Sequence, residues 1–206
     1  MKAYKLLKKD QTSFDGCKWL RGRWKKTDGE GELCGPGWLH FYTHPLLAAL
    51  LNPIHASIND PVLWEAEVRG KSLDDRGLKV GWTEGRIIRK LKLPKVSREQ
   101  RIGFGILCVK EVCRDIAWNT WADDWLSGKN RSAQAAETAA AETAWAAAET
   151  AWAAARPEWA ARAAARAAAR PEWAAAEAAR GAERAAARAA KHLDLIVLAK
   201  KAMEKK

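Results

Sequence analysis

Residues 141–190 read AETAWAAAETAWAAARPEWAARAAARAAARPEWAAAEAARGAERAAARAA. Between residues 133 and 190, 33 of 58 residues are Ala, which has the highest helix propensity, so this part is predicted to be helical. Trp recurs there at intervals of seven, which places the rings on one helix face with a drift of ~20° per step. Disordered segments are poor in aromatic residues, so the Trp spacing favours packed helices over a disordered tract.

Two copies of ARPEW, at residues 155–159 and 169–173, interrupt this pattern. Pro costs roughly 3 kcal/mol inside a helix but is tolerated in the first turn. Helix breaks are therefore predicted just before Pro157 and Pro171, which would divide the segment into several short, packed helices. The small Ala side chains would let the helix backbones approach closely.

The helical segment also contains the candidates for binding a partner protein. The Trp rings and two rows of Arg spaced by four residues form this set: Trp145, Trp152, Trp159, Trp173, Arg162, Arg166, Arg170, Arg180, Arg184 and Arg188. A row of guanidinium groups would bind acidic groups of a partner. The alternative is that these arginines form a solvated helix face.

Upstream of this segment, a capping box indicates where the helical half of the chain begins. Ser97 and Gln100 have the S-x-x-Q spacing, and apolar residues from Ile102 to Ile116 recur at helical intervals. Gly128 is predicted to end this helical element. Ser132 is predicted to cap the next helix. The segment HLDLIVLAKKAMEKK is predicted to be an amphipathic terminal helix in which Leu193, Ile196 and Val197 share an apolar stripe.

The front of the chain shows the period-two alternation of strands. In VLWEAEVRG, Trp64, Ala66 and Val68 are predicted to share one face of a strand. In RIIRKLKL, Ile87, Leu91 and Leu93 are assigned to one face as well. HPLLAALLN is predicted to be a short helix. The fold class is therefore α+β, with a small mixed or antiparallel sheet domain over residues 1–95 and an all-α, Ala/Trp-rich domain over residues 96–206.

The net charge of +11 is concentrated near the front of the chain. Residues 1–26 carry nine Lys or Arg against two acids, and residues 86–114 also carry nine against two. Such an excess favours phosphates, acidic proteins or anionic membranes as partners, or it serves solubility alone. No apolar run approaches ~18 residues and no signal peptide is visible, so we expect an intracellular protein without membrane insertion and with reduced cysteines.

Two basic segments are candidates for binding nucleic acid. RGRWKK sets an aromatic ring among cations, and GRIIRKLKLPK adds a second basic strand. Basic residues with an interleaved ring could bind phosphates and stack a base, whereas edge strands also carry Lys and Arg for solubility. The candidates are Arg21, Arg23, Trp24, Lys25, Lys26, Arg86, Arg89 and Lys90.

Metal binding and catalysis have weaker signals. Cys34, His40, Cys108 and Cys113 could ligate zinc, but their spacing is not a tight C-x-x-C, so no metal or other cofactor is expected. GWLHFYTHP is loosely similar to the start of ADP-ribosyltransferase-like folds, in which such a His holds a nicotinamide cofactor. That similarity makes His40 and His44 nucleotide-binding candidates. No catalytic nucleophile with an activating base can be identified in the sequence, so the protein is not expected to be an enzyme.

Longer motifs resemble two families. FGILCVKEVC, WADDWLSGKNRSA and the Ala/Trp-rich heptads, over residues 98–190, resemble immunity proteins of polymorphic toxin systems. ELCGPGWLHFYTHPL and LWEAEVRG resemble an uncharacterised domain found on phages and mobile elements. Together they imply a phage or mobile-element accessory protein in the cytoplasm of a bacterial host cell. Such a protein would bind a specific intracellular protein as an immunity or counter-defence inhibitor.

Two alternatives to the inhibitor hypothesis stay open at this point. One is a protein that binds nucleic acid or a nucleotide, and the other is an ADP-ribosyltransferase-like enzyme. The sequence leaves the oligomeric state undetermined.

Overall fold

The computed structural model describes residues 1–13, 16–139, 163–166, 168–169, 174–189 and 193–204. The chain divides into two compact units, Met1–Lys95 and Val96–Lys206. An antiparallel sheet and several helices together give an α+β protein, which confirms the predicted fold class. Within the described ranges, no helix is both long enough and apolar enough to cross a membrane.

The first unit is built around five antiparallel strands and one helix. Its elements are β1 (Lys2–Leu7), β2 (Lys25–Lys26), β3 (Leu39–Phe41), α1 (Pro45–His55), β4 (Val62–Asp74) and β5 (Val80–Leu91). The strand order is β1-β4-β5-β2, and β3 also pairs with β5. An isolated bridge joins Tyr4 of β1 to Tyr42, which follows β3, through two backbone hydrogen bonds of 2.8 Å.

The two faces of β4 differ in polarity as its alternation predicts. Trp64, Ala66 and Val68 are buried, which confirms their predicted face. They form a core cluster with residues of β1, β3, β5 and the loop before β2, namely Ala3, Leu7, Trp19, Phe41 and Ile87. Glu65, Glu67 and Arg69 occupy the opposite face of β4, and this side is called the charged face of the sheet.

A bulge in β5 overturns one predicted strand face. Ile87 lies opposite Ala66, whereas Leu91 lies opposite Leu63, because the register shifts between Glu65 and Ala66. One extra residue in a strand reverses the side to which later residues point. The prediction that Ile87 and Leu91 share a face was therefore wrong, and Leu93 lies beyond the end of the strand.

The second unit contains only helices among its described elements. Those with defined bounds are α2 (Arg98–Lys110), α3 (Ile116–Ser127), α4 (Ala174–Arg188) and α5 (Leu195–Met203), and residues 133–139 are also helical. The capping box is confirmed, since the Gln100 amide donates to the Ser97 hydroxyl and the Gln100 side chain accepts from the Ser97 amide. Gly128 ends α3 with φ of 83°, and the Ser132 hydroxyl caps the next helix.

The stretch predicted as one helix up to Gly128 is in fact two helices. The chain leaves the helix after Lys110, and the Asp115 carboxylate starts α3 by accepting a 2.6 Å hydrogen bond from the Trp118 amide. Ile116, at the first position of α3, is 84% exposed and does not belong to the predicted apolar stripe. An N-cap Asp within a stretch of helical periodicity accounts for the error.

Helix α5 also buries a different stripe from the one expected. The sequence suggested Leu193, Ile196 and Val197, but Val197 is exposed. The buried residues are Leu195, Leu198, Ala199 and Ala202. Both sets have helical spacing, and only packing against other helices decides between them.

Helices α2 and α4 approach each other at backbone distance. A Cβ atom added to Gly105 of α2 would lie 2.8 Å from the carbonyl oxygen of Ala178 in α4 and 3.0 Å from its Cα. Such contact requires residues without bulk on both helices. At this one crossing, small residues permit the close approach that the Ala-rich composition suggested.

Candidate functional site

A cavity of about 550 Å³ lies within the first unit. Its wall comes from β1, β3, the C-terminal end of α1 and the loops that precede β2, β3 and β5. Ligand pockets in proteins commonly measure about 300–1,000 Å³ and combine apolar walls with a few polar groups. The size and composition of this cavity match that description.

Aromatic rings supply much of the cavity wall, and glycines of β5 make room for them. A Cβ atom on Gly85 would lie 2.5 Å from the ring of Phe41, and one on Gly81 would lie 3.0 Å from Cβ of Trp38. The ring of Trp19 packs edge-on against Phe41, with centroids 5.8 Å apart and an interplanar angle of 86°. At Gly81 and Gly85, the rings of Trp38 and Phe41 thus pack directly on the backbone of β5.

Lys5 places a positive charge in this aromatic wall. It occupies a core-facing position of β1 between Ala3 and Leu7 and is only 8% exposed. Its ammonium group donates a 2.9 Å hydrogen bond to the carbonyl oxygen of His40. It also lies 4.6 Å from the ring centroid of Trp19 and 4.9 Å from that of Phe41, within the range of cation–π attraction.

A second ammonium group, that of Lys79, enters the cavity from the residue before β5. The Lys79 side chain is 12% exposed. Its Nζ lies 3.3 Å from Sγ of Cys34 and 3.9 Å from the nearer carboxylate oxygen of Asp75. The ammonium is therefore oriented by a thiol and by a carboxylate at the outer limit of ion-pair distance.

The two histidines singled out from the sequence have different positions. His40 lines the cavity, and its Nε2 hydrogen-bonds to the carbonyl oxygen of Leu33. His44 is the N-cap of α1, where its Nδ1 accepts a 3.2 Å hydrogen bond from the Leu46 amide. The second contact is a helix-capping one, so the structure associates only His40 with the cavity.

His55, at the end of α1, is a cavity residue that the sequence reasoning missed. Its ring stacks on Tyr42 with centroids 6.0 Å apart and an interplanar angle of 16°. Burial, followed by electrostatic interaction with Lys79 and with His40, lowers the pKa of His55 to about 4. Burial also raises the pKa of Tyr42. Both rings are therefore neutral at pH 7, and Lys79 and His40 lie near enough to His55 to act on its charge.

The nucleic-acid candidates are distributed over both faces of the sheet. Trp24 lies on the charged face between two guanidinium groups, with Arg69 4.1 Å and Arg86 4.7 Å from its ring centroid. Lys26 and Arg89 share that face. On the core-facing side, Lys25 and Lys90 lie 5.6 Å from the rings of Trp19 and Trp64 respectively. Arg21 and Arg23 are exposed before β2.

Carboxylates compensate much of the positive charge on this face. Glu65 pairs with Lys2 and Arg89, each at 3.0 Å. Arg86 donates two hydrogen bonds to Glu67, and Glu84 pairs with Arg69 and Lys26. Hydrogen bonds from these cations lower the pKa of Glu65 and of Glu84. Five cations thus face three carboxylates, and a phosphate would compete with an internal partner for most of them.

The four metal candidates divide between the two units, with Cys34 and His40 in the first and Cys108 and Cys113 in the second. No group of three or more His, Cys, Asp or Glu side chains in the described ranges could hold a metal ion. Cys108 and Cys113 are buried, and burial raises the pKa of Cys108, which keeps that thiol protonated. Cys34 and His40 contribute to the cavity instead.

Most of the predicted protein-binding residues lie outside the described residues. These are Trp145, Trp152, Trp159, Trp173, Arg162 and Arg170. Arg166 is exposed, and Arg180 is exposed and donates a 2.5 Å hydrogen bond to Glu177. Arg184 is half-buried in α4, and Arg188 ends that helix.

Comparison with known proteins concerns mainly the unit that contains the cavity. Residues 1–99 match the model of a family described as a domain of unknown function, DUF7666. No curated protein and no solved structure matches the chain.

Proposed function

We propose that the first unit binds a small, negatively charged ligand with a planar ring, in the class of nucleotides, and that the chain acts by binding. The cavity carries this proposal, because aromatic rings and two little-exposed ammonium groups, those of Lys5 and Lys79, line one space of about 550 Å³. Aromatic rings stack on planar ligands, and ammonium groups attract anions.

Catalysis receives less support from the same geometry. The Cys34 thiol is oriented by the Lys79 ammonium, and His55 is buried against Tyr42. A nucleophile activated by a base within hydrogen-bond distance is the usual signature of covalent catalysis. Among the described residues, the side-chain contact of the Cys34 thiol is the Lys79 ammonium group and not a general base.

A thermal-shift and calorimetric panel of the four common ribonucleosides and their 5′-monophosphates would test this proposal. Trp38→Ala should weaken the tightest interaction about 10-fold or more, since stacking on an aromatic residue contributes roughly 1–3 kcal/mol per base. Trp24→Ala is the matched control, because Trp24 lies on the charged face and not in the cavity wall. Absence of binding across the whole panel would contradict the proposal.

A second proposal concerns the helical unit and is favoured by the exposed guanidinium groups of Arg166 and Arg180. We infer that this unit binds a specific intracellular protein through acidic groups, as an inhibitor of immunity or counter-defence type. The sequence resemblance over residues 98–190 supports this role. Cross-linking in the host should capture one dominant partner, and capture should be reduced by Arg166→Glu with Arg180→Glu. An unchanged cross-linking pattern would contradict this assignment.

A further inference from the structure

The ammonium group of Lys79 belongs to the cavity wall and lies at some distance from negative charge, on a side chain that is only 12% exposed. Among the described residues, its carboxylate contact is Asp75 at 3.9 Å, well beyond the 2.7–2.9 Å typical of a charge-assisted hydrogen bond. Its closer contact is the Cys34 sulfur at 3.3 Å, a weak acceptor. An anion bound beside this little-exposed ammonium group would give its charge a closer partner.

The described residues that line the cavity include two lysines, Lys5 and Lys79, and no Asp or Glu. Lys79 and His40 both contribute to the lowered pKa of His55, so these three nitrogen-bearing side chains lie near one another. His40, His55, Tyr42 and Cys34 all line the same cavity as Lys79. This end of the cavity is therefore suited to an anion.

A ring-binding wall lies next to this end of the cavity. Gly81 follows Lys79 by two residues, and alternate residues of an extended chain point to the same side. Trp38 packs on Gly81, with a ring atom 3.2 Å from the position of an added Cβ. Two residues of a strand span ~7 Å, so the backbone positions of Lys79 and Gly81 are about that far apart. A ligand that contacts both Lys79 and Trp38 would therefore need only a short spacer between its anionic group and its ring.

We propose that Lys79 binds the phosphate group of a mononucleotide whose base lies beside Trp38. This assignment rests on the proposed function and names the group that the cavity recognises. Lys binds phosphate as a compact point charge, and a phosphate monoester carries the negative charge that this end of the cavity lacks. A nucleoside without phosphate keeps the ring contact and loses the contact with Lys79.

Isothermal titration of the full chain with AMP, GMP, CMP and UMP, and with the four nucleosides, would test the assignment. The best monophosphate should bind at least about 10-fold more tightly than its nucleoside. Lys79→Met removes the charge while keeping most of the side-chain length, and it should abolish this preference. Lys79→Arg should retain part of it. Lys92→Met is the control, since Lys92 is exposed and does not line the cavity.

The nucleoside serves as an internal test of folding. If Lys79→Met binds the nucleoside as the wild type does and binds the monophosphate no better, the assignment is supported. Retention of the full phosphate preference by Lys79→Met would overturn it, and so would a wild type that binds nucleoside and monophosphate equally. Binding of inorganic phosphate as tight as that of the monophosphates would identify a free anion as the ligand and refute the base contact. Failure of every nucleoside and nucleotide would instead refute the proposed function.

Discussion

The contact between α2 and α4 gives a sharp prediction because two glycines in one helix differ in their surroundings. A Cβ atom on Gly105 would lie 2.8 Å from the Ala178 carbonyl oxygen, so the two backbones would have to separate. A Cβ atom on Gly103 would lie 3.7 Å from the ring of Trp125 and 3.8 Å from Leu126, which is ordinary contact. Both Gly→Ala changes gain about 1 kcal/mol of helix propensity. Only Gly105→Ala adds overpacking, which costs about 1–3 kcal/mol.

We therefore expect Gly103→Ala to leave the second unit unchanged or more stable by up to about 1 kcal/mol. Gly105→Ala should be less stable than Gly103→Ala by about 1–3 kcal/mol. Urea unfolding followed by circular dichroism at 222 nm reports the helices, and the comparison cancels the propensity gain. Equal stability of the two variants, within about 0.5 kcal/mol, would refute backbone contact between α2 and α4 at this crossing.

Three further predictions concern single side chains. The pKa of His55 is about 4 in the folded chain, whereas its ordinary value is 6.5. Between these pH values the unfolded chain binds a proton that the folded chain does not. The free energy of unfolding should therefore fall by about 3 kcal/mol as the pH decreases from 6.5 to 4. Urea midpoints across this range should show a smaller decline for His55→Gln, and an identical decline would contradict the assignment. Ser97→Ala removes the capping box and should lower the free energy of unfolding by about 1 kcal/mol in the same assay. Glu84→Gln frees Arg69 and Lys26, so the protein should elute from heparin at higher salt, and unchanged elution would show that these pairs do not mask the cations.

Local sequence patterns predicted the positions of strands and helices more successfully than the bulge in β5 and the break between α2 and α3. Alternation around Trp64 identified β4 and its buried face, and the Ser97 capping box located the start of α2. The bulge in β5 was missed because an extra residue leaves no mark in a basic, apolar strand sequence. The break before Ile116 was missed because the helical spacing continues across it.

The cavity was only partly accessible from the sequence because its residues converge through tertiary structure. His40 was singled out from its motif, but His55 and Lys79 come from separate elements and no local pattern connects them. Lys5 did leave a signal, since it occupies the core-facing parity of β1 between Ala3 and Leu7. A charged residue at such a position is rarely buried without a specific interaction, and this parity could have indicated a polar site.

The bridge between Tyr4 and Tyr42 bears on the exposure of one edge of the sheet. An unpaired strand edge is a template on which a second chain can add, and this is a common route to aggregation. β1 is paired with β4 on one side, and on the other its Tyr4 backbone is engaged by Tyr42. The bridge links β1 to the residue that follows β3, so part of this edge is already occupied and offers fewer backbone groups to an incoming strand.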